Sequence, residues 1–428
     1  MNNLPTDPYK GVRDFYPEDM AIQRYIFDRW SQTAESFGYQ RYDASILEPA
    51  ALYKAKGAEN EEMVNEQTYT FTDRGEREVT LRPEMTPTVA RMVAARQRTL
   101  TPPVRWYSIP NLFRYERTQR GRLREHWQLN CDIFGVDDVA ADVEIIALAH
   151  QLFIDLGAQP EMFEIRINSR AFMDDWYSAQ GITQADIRAK ITKLNDRKNK
   201  LSDQEYQTEL RTILGQSYAI ETLQAGLESS DISDIPSDSP LRTTVENLHA
   251  LGITNLIFDK TLARGFDYYT GTIFEVFDKH PDGTKRSMLG GGRYDNLTGL
   301  FSNTPVSGVG FGMGDVTMRD FLETHDLLPA AVHTTAPLLS IIPLSPDEHQ
   351  PAQRLAQQFR DQGIATSVDF SSRKRDKKFK TASDTGVRYL IVLGSDEVAS
   401  QTYTLQVLQS QQEHVGTTKE LSRHICAS

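Results

Sequence analysis

Arg114-Tyr115-Glu116-Arg117-Thr118-Gln119-Arg120-Gly121-Arg122-Leu123-Arg124-Glu125-His126-Trp127-Gln128-Leu129-Asn130-Cys131-Asp132 alternates in polarity. Arg114, Glu116, Arg122, Arg124, His126, Gln128, Asn130 and Asp132 take the even positions. Tyr115, Leu123, Trp127, Leu129, Cys131 and then Ile133 take odd ones, with Glu125 out of pattern. Strand side chains point alternately to the two faces of a sheet, so a period of two predicts a hairpin. Its two strands are joined by an Arg117–Gly121 loop, with one face polar and rich in arginine and the other packed. Guanidinium groups bind phosphate oxygens bidentately, and a glutamate beside them fixes an arginine or accepts from an exocyclic amine. An isolated Arg-x-Glu is more often a surface ladder of cross-strand ion pairs. Five arginines between Arg114 and Arg124 favour a face built to hold something anionic and polar.

Upstream, Pro17-Glu18-Asp19-Met20 opens a helix, with proline and acids in the first turn. Met20, Phe27, Trp30, Ala34 and Phe37 follow at helical spacing to Gly38. Arg77–Glu84 alternates as a strand, and Thr86-Pro87 is expected to be the N-cap and first residue of a helix over Thr88–Arg98. Downstream come an apolar helix over Asp142–Leu156 and a polar, helical stretch to about Leu251, with a loop at Ser229–Pro240. Strands return at Thr272–Phe277 and Val306–Gly314. After a loose segment, Leu338–Pro343, a helix Pro346–Gln362, Ala365–Phe370, a basic helix and Tyr389–Leu393 predict a small α/β domain with a mostly parallel sheet.

The 428 residues suffice for two or three domains with their own cores. A net charge of −12 requires a local basic patch for any nucleic-acid partner. The run Arg373-Lys374-Arg375-Asp376-Lys377-Lys378-Phe379-Lys380 is the candidate, although such a run is usually a solvated helix face. Two cysteines, far apart, argue against a disulfide framework or a thiolate zinc site and fit a reducing cytoplasm. No apolar run approaches a membrane span, and the first residues carry no signal segment.

Four further segments carry chemistry. In Leu81-Arg82-Pro83-Glu84-Met85-Thr86-Pro87, Glu84 can hold a ligand ammonium group, while helix capping also explains Thr86 and partly Glu84. Leu262-Ala263-Arg264-Gly265-Phe266-Asp267-Tyr268-Tyr269 sets a cation beside two phenols, or is a turn whose tyrosines pack into core. Gly290-Gly291-Gly292-Arg293-Tyr294-Asp295 lets backbone pass close to a ligand or a neighbouring strand. Gly308-Val309-Gly310-Phe311-Gly312-Met313-Gly314 leaves one strand face bare, for a flat base or a helix to rest on. There is no P-loop, HExxH or GxSxG, so any ATP site must use another architecture.

In this order, from Gly11-Val12-Arg13-Asp14-Phe15 to the C-terminal domain, the segments resemble those of the class II aminoacyl-tRNA synthetases, specifically the histidyl-tRNA synthetase family. Leu262–Tyr269 resembles its histidine-specific arginine motif. The fold implied is an α+β catalytic core over residues 1–325, an antiparallel sheet flanked by helices with a helical insertion at about 170–250. A linker (326–336) and an α/β anticodon-binding domain (337–428) follow. The activity implied is ATP-dependent ligation of L-histidine to tRNA(His) by a cytoplasmic homodimer, through a histidyl-adenylate, with Mg²⁺ on the ATP tail and no protein-held metal.

The resemblance implies roles residue by residue. Glu84 and Thr86 would meet the α-ammonium of histidine, and Gln128 and Asp132 would line its site, with Tyr268, Tyr269 and Tyr294 framing the imidazole. Arg114 would bind the α-phosphate, Glu116 the adenine region and Arg122 the pyrophosphate end. His126 would stack on adenine and Gly312 would lie against the nucleotide. Arg264 would be the catalytic cation. Gln119 and Arg120 would approach the tRNA acceptor end, and Lys377 and Lys378 would contact tRNA. Two departures stand out. Ser45 precedes Ile46-Leu47-Glu48 where the family has proline, and Thr317 stands where motif 3 has its γ-phosphate arginine. Arg319 could replace that arginine from a strand but not from a helix; Arg122 is the expected substitute. The rival reading is a non-catalytic, histidine-sensing paralogue, which typically lacks the arginine motif and the C-terminal domain.

Overall fold

The computed structural model describes residues 4–55, 67–196, 198, 201–215, 220–263, 268–333 and 336–427. The chain divides into two compact units, one of residues 4–14 with Gln23–Leu328, the other of Phe15–Ile22 with residues 329–427.

The helices of the first unit are α1 (Pro17–Ser36, which runs through both units), α2 (Ala51–Lys54), α3 (Thr86–Arg96), α4 (Ala140–Asp155), α5 (Arg170–Ala179), α6 (Ala185–Asp196), α7 (Asp203–Leu214), α8 (Ile220–Glu228), α9 (Pro240–Ala250) and α10 (Asp315–Thr324). Its strands are β1 (Gln40–Arg41), β2 (Leu47–Pro49), β3 (Tyr69–Thr72), β4 (Glu78–Leu81), β5 (Val104–Ser108), β6 (Asn111–Phe113), β7 (Glu125–Phe134), β8 (Phe163–Ser169), β9 (Leu256–Phe258), β10 (Thr272–Asp278), β11 (Leu289–Arg293) and β12 (Gly308–Gly314). The central sheet has the order β1-β5-β7-β12-β11-β10-β8-β9, with β6 also on β7. Its middle is antiparallel, as expected, and the two edge pairs, β1–β5 and β8–β9, are parallel.

The pleat sorts the sheet into two faces. Leu129, Cys131, Ile133, Val309, Phe311 and Met313 are buried on one, and α4 packs against these strands. Gln128, Asn130, Asp132, Gly308, Gly310 and Gly312 fall on the other. A separate three-stranded sheet, β2-β4-β3, precedes α3. The polar stretch forms α5–α9, an insertion with its own buried Tyr177, Leu194, Tyr206, Leu210 and Leu227. Lys260 fastens it, its ammonium donating to Asp234 Oδ2 (2.5 Å), Ser229 O (3.0 Å) and Gly226 O (3.2 Å).

Four sequence expectations need correction. The hairpin exists, but its strands stop short: β6 ends at Phe113 and β7 begins at Glu125. Arg114–Arg124 is a loop with a single bridge, Gln119 to Arg122, closed at its neck by Arg114 N–H to Arg124 O (2.9 Å). Its alternation is therefore not a strand pleat. Thr86 is not an N-cap; it is the first residue of α3, after Met85. Met85 already has helical dihedrals (φ −104°, ψ −24°), whereas a capping side chain reaches back from extended backbone. In α1, Trp30 and Ala34 are buried as expected, but Met20 is exposed, and Phe27, like Phe37 just after the helix, is only half-buried; Ile26 and Thr33 complete the buried stripe.

The fourth lies in the second unit, which holds β13 (Leu339–Pro343), α11 (His349–Arg360), β14 (Thr366–Val368), α12 (Arg375–Asp384), β15 (Tyr389–Leu393), α13 (Ser395–Ser400), β16 (Tyr403–Val407), β17 (Gln412–Gly416) and α14 (Thr418–Ala427). The sheet order is β14-β13-β15-β16-β17. β14, β13 and β15 are parallel, but β16 and β17 add an antiparallel hairpin, so the sheet is mixed. The outer strand β17, Gln412-Glu413-His414-Val415-Gly416, carries no apolar alternation to announce it.

Candidate active site

The site is built on the glycine-lined face. In the β7–β12 register Asp132 lies opposite Gly310 and Asn130 opposite Gly312. A Cβ on Gly312 would run into the Gln128 amide, one on Gly310 into Asp132 Oδ1 and the Tyr294 hydroxyl, and one on Gly308 into the Tyr294 ring. The bare face thus makes room for three of the proposed site residues. At Gly312 the space a side chain would take is filled by the Gln128 amide.

The Tyr294 hydroxyl donates to Asp132 Oδ1. Asp132 is 3 % exposed, and its Oδ2 has no hydrogen-bond partner among the described residues. Burial raises this carboxyl from 3.8 to about 7, against the opposing effect of the Tyr294 hydrogen bond. A buried acceptor without a donor costs about 1–3 kcal/mol, so the pocket is set up for an incoming N–H. Tyr268 lies beside both tyrosines, 4.8 Å from Tyr269 and 5.8 Å from Tyr294 between ring centres. Asn168 of β8 donates to Leu262 O (3.2 Å) and Lys260 O (3.3 Å), tying the start of the arginine segment to the sheet. Arg264 itself lies outside the described residues.

Next to this pocket stands a wall of cations. Arg114 Nε donates to Pro83 O (2.8 Å), which holds the guanidinium beside the buried Glu84. Arg122 pairs with the buried Glu116 (2.6 Å), and Arg13 with Asp315 (2.7 Å), whose other oxygen accepts the Trp127 N–H (2.9 Å). His126 sits among them. Burial first, then the charges of Arg114, Arg13 and Arg122, push its imidazole down to about 3. It is therefore a neutral ring at physiological pH, able to offer an aromatic face without adding charge.

Other expected residues separate by position. Arg124 is not on the cationic wall: it covers the Tyr115 ring (4.1 Å) and donates to Tyr9 Oη (3.1 Å) and Lys10 O (3.3 Å). Gln119 and Arg120 are exposed at the loop tip, with Arg120 paired to Asp320 (2.9 Å). Thr86 is half-buried at the start of α3. Thr317 is buried on α10, its hydroxyl bonded to Gly314 O (3.2 Å) and Met288 O (3.4 Å). Arg319 is on the same helix, paired with Glu323 (2.7 Å), so the strand geometry that would let it replace the motif 3 arginine does not occur. In the second unit Lys377 is exposed, but Lys378 is buried and donates to Asp369 O (3.0 Å), which makes it an anchor rather than a surface contact. Sequence reading missed Arg13 as a site residue, and Arg286, whose side chain lies against Gly121. Arg13 stands in the Gly11–Phe15 segment without a role read for it, and Arg286 has neither a period nor a motif in sequence to mark it.

An antiparallel sheet with a cationic hairpin loop over it, and a separate small α/β unit after it, is the architecture of a class II aminoacyl-tRNA synthetase. The family model for histidyl-tRNA synthetase matches residues 11–315, and that for an anticodon binding domain residues 339–425. The chain belongs to the histidyl-tRNA synthetase family. It is 40 % identical over 432 residues to the histidine--tRNA ligase of Leptospira biflexa serovar Patoc, covering 99 % of this chain and 98 % of that one. It is 36 % identical to the histidine--tRNA ligase of Thermoplasma volcanium, covering 96 % of each. The fold matches the crystal structure of histidyl-tRNA synthetase from Nostoc sp. PCC 7120 with a TM-score of 0.82 at 22 % identity, over 99 % of this chain and 100 % of the other.

Proposed function

We propose that the chain is a histidine--tRNA ligase, joining L-histidine to tRNA(His) at the expense of ATP. The observation that carries this is Asp132: a buried carboxylate with one oxygen held by Tyr294 and the other open, beside a wall of arginines. The carboxylate accepts an imidazole N–H, and Tyr294 and Tyr268 enclose the ring. Glu84, at the β4–α3 junction, takes the ammonium group, with Thr86 and Gln128 alongside.

In the first step a carboxylate oxygen of histidine attacks the α-phosphorus of ATP in line. The bond to the bridging oxygen of the β-phosphate breaks, and pyrophosphate leaves with that electron pair. Arg114 and Arg264 balance the charge building on the α-phosphoryl oxygens, and ATP enters as its magnesium complex. Such phosphoryl transfer depends on positioning and electrostatics more than on covalent chemistry. Glu116 and the neutral His126 ring receive the adenine. In the second step a ribose hydroxyl of the terminal adenosine of tRNA attacks the histidyl carbonyl, and AMP leaves. Gln119 and Arg120 guide the acceptor end, and the exposed cations of α12 meet the distal RNA. Residues 337–428 act as the anticodon-binding domain, and 326–336 as a linker after the catalytic core. The reading includes a homodimer working in the cytoplasm.

One observation favours a second reading. Thr317 removes a tail contact of the family, as in a protein that senses histidine without using ATP. Histidine-dependent ATP–pyrophosphate exchange separates the two. Exchange that needs histidine and ignores other amino acids supports the ligase; histidine binding with no exchange supports the sensor.

A further inference from the structure

We propose that Arg286 is the partner of Arg122 in holding the polyphosphate tail of ATP. The inference rests on the ATP-dependent reading above and assigns the tail contact within it.

Residues 279–288 connect β10 to β11, and this connection turns back against the arginine loop. A Cβ built on Gly121 lies 3.4 Å from Arg286 Cδ, 3.4 Å from Thr284 Oγ1 and 3.2 Å from Thr317 Cγ2. Three segments therefore meet at one point: the loop between Arg120 and Arg122, the connection carrying Arg286, and the first turn of α10. Gly121, at φ +75°, is the residue that permits so close an approach. The Thr317 hydroxyl reaches Met288 O, two residues beyond Arg286, and so fastens the connection to α10. A short side chain at 317 thus does two things: it brings no cation from α10, and it fixes a segment that brings one from the opposite side.

The charges there are unbalanced. Arg286 is half-buried, and among the described residues its guanidinium makes no hydrogen bond or ion pair. Burial first, then the charge of Arg122, lowers its pKa, and the opposing charge is that of Glu116. Glu116 is already engaged with Arg122 at 2.6 Å. Two guanidinium groups that share one carboxylate leave a positive charge for which a polyanion is the complement, and two planar forks suit two phosphoryl groups better than one.

The test uses full-length Arg286→Ala and Arg286→Lys proteins. KM values for ATP and histidine come from pyrophosphate exchange, and Kd values for ATP and AMP from calorimetry. Arg286→Ala is expected to raise KM and Kd for ATP at least tenfold while AMP affinity and the KM for histidine stay within twofold. Lysine is expected to restore part of the loss. ATP binding within twofold of wild type would overturn the proposal, as would equal losses for ATP and AMP, which would mean a disturbed fold. A change confined to the KM for tRNA would also overturn it, assigning the cation to RNA. If the wild-type protein shows no exchange, the ligase reading fails by itself, and the ATP-to-AMP comparison still decides Arg286.

Discussion

At the scale of single residues, two titrating groups of the site are shifted in opposite directions. Asp132 is raised from 3.8 to about 7, so between those values the folded protein keeps a proton that the unfolded chain releases. Its contribution to stability is full below pH ~4 and is lost as pH rises through about 7. His126 is lowered from 6.5 to about 3 and works the other way: its contribution is present above pH 6.5 and is lost as pH falls towards 3. Function follows the first group. An ionised Asp132 is the better acceptor for an imidazole N–H, so kcat/KM for histidine, corrected for titration of free histidine, is expected to rise with pH and level off above about 7. Asp132→Asn is expected to raise the KM for histidine at least tenfold, leave that for ATP nearly unchanged and remove the pH dependence. A mutant profile that still bends near pH 7 would assign the titration to another group. Asp132 was singled out in sequence because it falls on the polar face of an alternating strand and at a position to which the family resemblance gives a role. Arg13 and Arg286 were not, because Arg13 meets Asp315 and Arg286 meets Gly121 only through folding.

At the scale of elements, β12 was read correctly as a strand with one bare face, but the occupant of that face was not foreseen. Glycine spacing reports that something lies close without saying what; here it is the side chains of Gln128, Asp132 and Tyr294. Gly310→Ala would put a methyl group on the Asp132–Tyr294 pair and against Cys131 O. Overpacking of this kind costs about 1–3 kcal/mol. The expected result is a folded protein with a lower melting temperature and a KM for histidine raised more than tenfold, with ATP binding retained. Unchanged histidine kinetics would show that the pair does not form the pocket. The arginine loop teaches the opposite lesson. Its residues alternate as a strand would, yet Arg122 and Arg124 leave in different directions, one to Glu116 and one over Tyr115. Alternation in a charged segment is weak evidence of pleat, because charged side chains satisfy themselves in loops as readily as on strands.

At the scale of the whole molecule, two surfaces remain to be explained. The register of the three-stranded sheet sets Leu47, Pro49, Tyr69, Phe71, Val79 and Leu81 on one face. Leu47 and Phe71 are 43 % and 48 % exposed. An apolar sheet face left open to water is a natural place for a second copy of the chain, which supports the proposed homodimer. Leu47→Asp is expected to shift the sedimentation mass from dimer to monomer at micromolar concentration and to reduce exchange activity; a wild-type monomer with full activity would refute it.

The other surface is α12 with the residues just before it, where Arg373, Lys374, Arg375, Lys377 and Lys380 are exposed on a chain whose net charge is −12. On so acidic a chain, the proposed RNA contacts of this unit are expected to fall mainly on these cations. Removing one phosphate-binding cation takes roughly one unit off the slope of log K against log salt. Lys377→Glu with Lys380→Glu is therefore expected to raise the KM for tRNA(His) at least tenfold at low salt, and to flatten its salt dependence by about two units. Pyrophosphate exchange, which needs no RNA, is expected to stay within twofold. Lys378→Ala should behave differently. Because Lys378 is buried and bonded to Asp369 O, its replacement is expected to lower the melting temperature without changing the salt slope. A double mutant that charges tRNA normally at every salt concentration would remove α12 from the RNA-binding surface, leaving the acceptor-end loop around Gln119 and Arg120 as the main RNA-binding element.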